Sequence, residues 1–561
     1  MPRVEVGPNA MTGLGVISSY DGAAIVESGF LLYPEGISLS VAAAAASVTP
    51  GVHRVVAIYE WTDANGQRHQ SAPSNYVEAT TVAGDRIAVR VPSLQLTQRQ
   101  GVSVGIFMTP VGSATFYRCS TNNGVIGSVL YNSGAFTYVT WTITESDADL
   151  VKNEILYTQP GFVGSMLPNV APPPITCLGV HQDRVFCDVA DQPNTYRFSQ
   201  RFSSGTGLQW SDRVDGSGKP LLGGSVEATA GGIVGWAPLD DKMIMFCANR
   251  IYALFGTGPD ASGAYSQYSD PVPLPADVGC TTWRSIVKMP DGIIFKSPKG
   301  WYQLGRDLVV KYIGAPVKAY DSAIVYSGVL HDKQQECRWS VGSEGVTLVY
   351  SYIGGQWSIT RYAPIAYSPA PGWPPPGAYS PIDAIIYPAR SRVTGYGYIH
   401  CAPLCGVNGD WNAGYLDTYG GYSSGFQFPS MLIQTSFLRL GSINGFQRVR
   451  WLYLTMSQLA PGSPNSAAAT LTLWFNDATA GDAGVDYYST SFNLGTATAT
   501  GTANTVELRH KMLRQKCKSV SMQLSMTPSI EGLGPLGFQS MQLQVGVKRG
   551  TNKLPAANSI G

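Results

Sequence analysis

The densest charge in this chain lies near its end, where Arg509, His510, Lys511, Arg514, Lys516 and Lys518 place six basic or histidine side chains within ten residues. Such a run can neutralise DNA phosphates or meet acids on a neighbouring subunit. On one continuous strand, residues 510, 514, 516 and 518 point to one side and 509 and 511 to the other, so the run cannot face a single partner as a whole. A solvated or subunit-bridging strand is the plainer reading. Arg509, Lys511, Arg514, Lys516 and Lys518 are therefore carried forward as candidate DNA or subunit contacts and nothing more.

Other residues that can do chemistry lead to less. Of the six histidines, at 53, 69, 181, 331, 400 and 510, only His400 lies near other metal-type residues, Cys401 and Cys405, and neither a second pair nor a C-x-x-C accompanies them. The acid pairs Asp147/Asp149 and Asp240/Asp241 can in principle divide acid and base work, but acids beside turn-forming residues more often shape turns. The segment 216–219 (Gly-Ser-Gly-Lys) lacks the four-residue spacer and following hydroxyl of a phosphate loop. Sialidase-type propellers usually carry Ser-x-Asp-x-Gly-x-x-Trp turns, and their absence here weighs against a glycosidase. The expectation is a non-enzyme with no catalytic, metal or cofactor site.

The elements that must position these residues are strands. Only 13% of the 561 residues are charged, against 63 Gly, 37 Pro and 30 Tyr, a balance that favours strands and turns over long solvated helices. Residues 243–247 and 251–256 form one apolar hairpin around a polar tip, and residues 292–295 and 301–305 form a second. The aromatic strands begin 50 residues apart, at Ile251 and Trp301, and a weaker copy follows at 346–350 with Trp357 closing it. Several strands per repeat at that period predict propeller blades, and Trp236, Trp283, Trp301, Trp339 and Trp357 recur with them as blade core.

The full expectation is an all-β chain. Residues 1–48 read as an N-terminal arm; 49–165 as an immunoglobulin- or fibronectin-like sandwich with an Asn65-Gly66 hairpin turn; 166–430 as the propeller, entered through the stiff prolines 172–174; 431–550 as a sandwich-like domain of alternating strands; 551–561 as a flexible tail. A Pro-rich loop at 369–376 interrupts the propeller. Net charge is +1, so no overall attraction to nucleic acid or an anionic membrane is implied. The nine cysteines are scattered, and they read as buried thiols of a chain assembled in a reducing cytoplasm. Neither a targeting signal nor a run of about 18 apolar residues is seen, so no membrane insertion is expected.

The order of these pieces resembles the tail nozzle (tail tubular protein B) and packaged-DNA-stabilisation proteins of short-tailed bacteriophages. The resemblance rests on Tyr59-Glu-Trp-Thr-Asp-Ala-Asn-Gly-Gln-Arg-His-Gln-Ser-Ala-Pro73, on Leu156-Tyr-Thr and Leu167-Pro-Asn-Val-Ala-Pro-Pro-Pro174, and on Asp183-Arg-Val-Phe with Phe198-Ser. It continues through Asp241-Lys-Met-Ile-Met-Phe with 251–256, Gly292-Ile-Ile-Phe with Gly300-Trp-Tyr-Gln-Leu, Ile433-Gln-Thr, and 448–454. The first 50 residues and the Pro-rich loop depart from it. The resemblance implies a homohexameric ring in the virion tail, assembled in the host bacterial cytoplasm. It would be stacked on the adaptor of the head-to-tail connector, beside tail fibre or spike proteins, with propellers around the DNA-ejection channel and only transient, non-specific contact with the genome. A near-neutral chain suits that duty, because every phosphate neutralised adds a barrier to sliding. The alternative reading is a receptor- or carbohydrate-binding propeller of the tail spike or adhesin kind, and behind it a glycoside hydrolase.

Overall fold

The computed structural model describes residues 3–120, 130–132, 137–159, 166–264, 267–332, 335–341, 346–361, 384–390, 397–403, 414–415, 431–435, 437–438, 447–458, 468–475, 487–493, 504–511, 516–517, 519–527 and 536–546. They are strands almost throughout, and the only α-helix among them is the single turn Asp147–Leu150. The chain divides into two compact units, Met1–Ser322 and Ala323–Gly561.

The first unit holds four small antiparallel sheets, each laid down strand after strand in chain order. The first contains Arg3–Val6, Asn9–Leu14, Val16–Tyr20 and Ile25–Glu27. The second contains Leu178–His181, Arg184–Val189, Gln192–Phe198 and Gly223–Ser225. The third contains Ile233–Leu239, Lys242–Cys247, Ile251–Leu254 and Val272–Pro273, and the fourth Val287–Met289, Gly292–Ser297, Gly300–Gly305 and Val310–Tyr312. Short turns make this order natural, because consecutive antiparallel strands need only a few residues to reverse.

Why the second strand of each repeat reads as an unbroken apolar run is visible in its neighbours. In Lys242–Cys247, Met243, Met245 and Cys247 share a core with Phe186, Tyr196 and Phe198 of the preceding sheet. Ile244 and Phe246 share another with Ile293, Phe295 and Leu304 of the following one. Both faces are therefore buried, which replaces polar alternation by continuous hydrophobicity. The same holds one sheet earlier: Val185 and Cys187 pack with Val6, Met11 and Ile17 of the N-terminal sheet, while Phe186 faces forward. Ring pairs bind successive sheets, Phe186 with Trp236 at 5.7 Å and Phe246 with Phe295 at 5.1 Å. Gly179 sits where a Cβ would come within 2.4 Å of the Trp236 Cβ, so only glycine permits that approach.

Between the first and second of these sheets the chain builds a β-sandwich. One sheet centres on Gly51–Thr62, paired with Ser103–Met108 on one side and with Arg68–Gln70 and Val77–Thr81 on the other; Tyr117–Arg118 lies beyond. The other holds Gly84–Pro92 between Ser38–Ala46 and Tyr138–Ile143. Val55, Ala57, Tyr59, Val104 and Ile106 of the one face Ile87, Val89, Val91 and Ile143 of the other in a single core.

Residues 1–48 are accordingly not a loose arm. Residues 3–27 are a sheet, and Ser38–Ala46 is a strand of the sandwich. Their strands are only three to six residues long before the sandwich begins, and glycines with positive φ at 7, 15, 22 and 29 punctuate them. No sequence window there is long enough to show a period.

The second unit opens with Val325–His331, Glu336–Val341, Val346–Ser351 and Gln356–Arg361, again in chain order, followed by Ala384–Arg390, Gly397–Pro403 and Gly414–Tyr415. Trp339 is fully buried and meets Trp357 at 5.6 Å, and Trp357 in turn meets Tyr350 at 4.9 Å. Two four-stranded sheets end the unit: Met431–Gln434, Val520–Thr527, Ala468–Phe475 and Tyr487–Asn493 in one, and Gln447–Gln458 with Asn504–Lys511, Lys516–Cys517 and Leu536–Gly546 in the other. Buried Leu452 and Leu454 alternate with half-buried Tyr453, as one-sided sheets require. The loop 369–376 and the tail 551–561 lie outside the described residues.

Phe246, fully buried between two sheets, tests the stack. Phe246→Ala is expected to cost about 3–5 kcal/mol, whereas Leu96→Ala, at a residue 75% exposed, stays within about 0.5 kcal/mol. The shift in denaturant midpoint followed by tryptophan fluorescence measures both.

Candidate functional site

Among the described residues, the richest polar constellation lies at and beside the seam where the sandwich meets the neighbouring sheets of the first unit. It starts from the turn after Gly51–Thr62. Asp63 accepts the backbone N–H of Asn65 and of Gln67 through Oδ1, and Gly66 takes a φ of +75°, which closes a tight loop. The same arrangement recurs at Asp215-Gly-Ser-Gly-Lys219 and Asp260-Ala-Ser-Gly-Ala264, where the aspartate accepts from the residues two and four further on. The glycine-rich 216–219 segment is thus an aspartate-capped turn.

The loop at Asp63 grips the N-terminal sheet. Asp63 Oδ2 accepts from the Asn9 amide at 2.9 Å and lies 3.2 Å from His69 Nε2; the Asn65 amide donates to Asn9 Oδ1 and to the Asp21 carbonyl; Ala64 N–H donates to the Asp21 carboxylate. On its other side the hairpin grips the second sheet's loop. Arg68 N–H donates to the Gly205 carbonyl, Gly207 N–H to the Arg68 carbonyl, and Gly205 N–H to Gln67 Oε1. Gly207 lies on the His69 ring, where a Cβ would come within 2.3 Å of Nδ1.

Behind the hairpin, two carboxylates and two guanidiniums interlock. Arg118 donates to Glu60 at 2.6 Å and to Glu154 at 2.7 Å; Arg68 bonds Glu154 at 2.6 Å and also contacts Glu60, which accepts from Gln70 as well. Glu60 is 6% and Arg118 5% exposed. Burial alone would raise the Glu60 pKa, but Arg118 and Arg68 outweigh it and hold the carboxyl below its ordinary value. A third tie is Arg99, whose buried guanidinium donates to Glu27 Oε1 and to the Glu27 and Gly29 carbonyls, with its face 4.5 Å from the Phe30 ring centroid.

The segment that leads into the stiff prolines 172–174 is also bound here. Asn169 donates to the Gln70 carbonyl, Tyr157 OH to the Ser71 carbonyl, Leu167 N–H to Ala261, and Val170 N–H to Trp210. The prolines stiffen a strap lying against folded sheets rather than a spacer. Chemically, these groups are spent on one another and on backbone: the quartet ties strands of one sandwich sheet to the Glu154 segment, and the Asp63 and Arg99 contacts fix the sandwich against its neighbours. Sequence reasoning missed it, although charged residues inside apolar strands, Glu60 after Ile58-Tyr59 and Arg118 after Phe116-Tyr117, were the available signal in so charge-poor a chain.

The sequence candidates are dispersed. Arg509 and Lys511 are exposed on one face of Asn504–Lys511, and the Arg509 guanidinium lies 3.9 Å from the Trp451 ring centroid and 5.6 Å from that of Tyr453. His510, on the other face, stacks on Tyr488, and burial lowers its pKa. Lys516 begins a separate short strand and its side chain, with Arg514 and Lys518, lies outside the described residues. Asp147 and Asp149 belong to the helical turn: Ser146 caps it toward Asp149, and Asp147 Oδ2 accepts from Val111 N–H. Asp240 takes φ +53° in a hairpin turn and pairs with Arg306 at 3.3 Å, and Asp241 pairs with Lys242. His53 is fully buried with its ring nitrogens 2.8 Å and 2.7 Å from the Thr109 and Thr49 carbonyls. The His400 and Cys401 side chains and Cys405 lie outside the described residues; among those described, no group of three or more His, Cys, Asp or Glu is placed to hold a metal. Six cysteines, at 119, 177, 187, 247, 280 and 337, are buried without a disulfide.

Two measurements test the seam. Arg118→Met, which leaves Glu60 and Glu154 short of a partner, is expected to cost about 3–5 kcal/mol, and the Glu60→Met/Arg118→Met double change less than the sum of the two single ones, in a double-mutant cycle. The second uses pH. Burial opposes ionisation of Asp63, yet hydrogen bonds from His69, Asn9 and Gln67 prevail and bring its pKa from 3.8 down to about 2. Because the folded value is the lower, the contribution is whole above about pH 4 and is lost as pH falls toward 2. Hydrogen exchange of residues 62–70 should accelerate over that window, and Asp63→Asn should remove the dependence.

The chain matches no family model and no curated protein. Among solved structures it is similar to apo AztD from Citrobacter koseri, with 11% identity over 70% of this chain and 88% of that one at a TM-score of 0.25. A second structure of Citrobacter koseri AztD matches at 11% identity over 63% of this chain and 89% of the other, again at a TM-score of 0.25. Likeness at that level carries no argument about this protein.

Proposed function

We propose that this chain is a structural virion protein, the ring-forming tail nozzle of a short-tailed bacteriophage, and that it works mechanically rather than as an enzyme. The observation that carries this reading is the stack of meander sheets in the first unit, joined face to face through strands buried on both sides, with the sandwich locked to that stack by the buried Arg99–Glu27 pair and the Asp63–Asn9 bond. Such a body resists shear, as a wall that contains pressurised DNA must. In this reading the meanders are blades of a β-propeller, the N-terminal sheet is one of them, and the sheets after Met431 form a sandwich-like end domain.

Six copies close into a ring through heterologous side-to-side contacts, with the propellers around an axial channel. The sandwich docks the adaptor of the head-to-tail connector, and tail fibre or spike proteins attach outside. DNA passes with transient, non-specific contact, and Arg509 and Lys511, with Arg514, Lys516 and Lys518, touch either the genome or the next subunit. The nozzle assembles in the host cytoplasm and ends in the virion tail.

Particle images of the purified full-length chain, alone and with its adaptor, are expected to show closed six-fold rings with a central channel. A chain that stays monomeric under both conditions and binds a glycan array would replace this reading with that of a receptor-binding propeller.

A further inference from the structure

Among the described residues, the sandwich sheet built on Gly84–Pro92 has two open edges, and they complement each other. Ser38–Ala46, nine residues of sequence SLSVAAAAA, hydrogen-bonds to Gly84–Pro92 on one side and, among the described residues, to no strand on the other. Seven of its nine residues are exposed, Leu39 and Ala46 being half-buried. Edge strands are normally guarded by charges or prolines, and this one has neither. Its one irregularity is the register shift between Ala43 and Ala46, with Ala45 at φ +53°, which leaves residues 38–43 as the flat part. The far edge of the same sheet, Tyr138–Ile143, is six residues long and matches that flat part in length.

The side chains match as well. On the first edge Leu39 and Val41, opposite Val89 and Ile87, point toward the core, yet Val41 is still 39% exposed; Ser38, Ser40 and Ala42 point outward. On the second edge Val139, Trp141 and Ile143 point inward, opposite Val91, Val89 and Ile87, while Tyr138, Thr140 and Thr142 point outward and are exposed. Laid side by side, apolar residues meet apolar ones over the core and hydroxyls meet hydroxyls outside. Both edges run antiparallel to Gly84–Pro92 and therefore parallel to one another.

We propose that the strand Ser38–Ala46 of one copy pairs in parallel with Tyr138–Ile143 of the next, so that the three-stranded sheet continues from subunit to subunit around the ring. This rests on the ring reading above and names its contact. The pairing is heterologous, since each copy offers one edge of each kind; self-pairing of Ser38–Ala46 would instead run antiparallel and stop at two copies.

The test uses Ala42→Cys and Thr140→Cys, both at exposed positions, in the full-length chain with a short bismaleimide cross-linker and denaturing gels. The double variant is expected to give a ladder ending at the closed ring. A mixture of the two single variants is expected to give dimers only, and either single variant no more cross-linking than the parent chain. Dimers from Ala42→Cys alone would overturn the proposal in favour of an isologous edge. Absence of cross-links in the double variant while images show rings overturns the proposal and leaves the ring reading standing; absence of both cross-links and rings removes the two together.

Discussion

A small antiparallel sheet has two faces, and a sheet of three or four short strands can bury neither by itself. That constraint shapes the first unit. The second and third meanders each find cover in the one before and the one after, so the strand in the middle must be apolar on both sides. Met243 to Cys247 shows the outcome: alternate side chains belong to two different cores although they stand on one strand. Stability in such a stack is shared, because removing one sheet uncovers both neighbours.

Charge is handled in the complementary way. In a chain with 13% charged residues, several are placed where charges are costly, and each is surrounded by partners. A buried ion pair adds little net stability over a well-packed apolar substitute, so the Glu60, Arg68, Arg118 and Glu154 quartet is better understood as fixing geometry. A slipped arrangement would strand a carboxylate or guanidinium without a partner. The Asn9, Asp63, Asn65 and His69 network and the Arg99 clamp act at the seam itself, so two independent polar devices oppose displacement of the sandwich from the N-terminal sheet.

These two traits, a shared apolar stack and a seam locked by polar geometry, bear on the proposed role. A conduit component does no chemistry on what passes through it. Its demands are stiffness along the wall, fixed attitude of the docking domain and edges that recognise a copy of the same chain.

The sequence by itself determined the strand content, the hairpins at 243–256 and 292–305, the turn at Asn65-Gly66, and the burial of Trp301, Trp339 and the six described cysteines, because each depends on local pattern: short apolar runs, turn residues at fixed spacing, few charges. What only the tertiary structure decided depends on residues far apart. The N-terminal strands were illegible because their pattern is too short, and their place comes from packing against Val185 and Cys187. The stiffness of the proline strap was legible but its attachment was not, because its partners, Gln70, Trp210 and Ala261, are up to about a hundred residues away. The part of the acid pairs in turns was legible in the turn-forming residues beside them, and folding added their partners, Val111 N–H for Asp147 and Arg306 for Asp240. The seam itself was written in single buried charges, and which carboxylate answers which guanidinium is a question of distance in space, on which sequence spacing is silent.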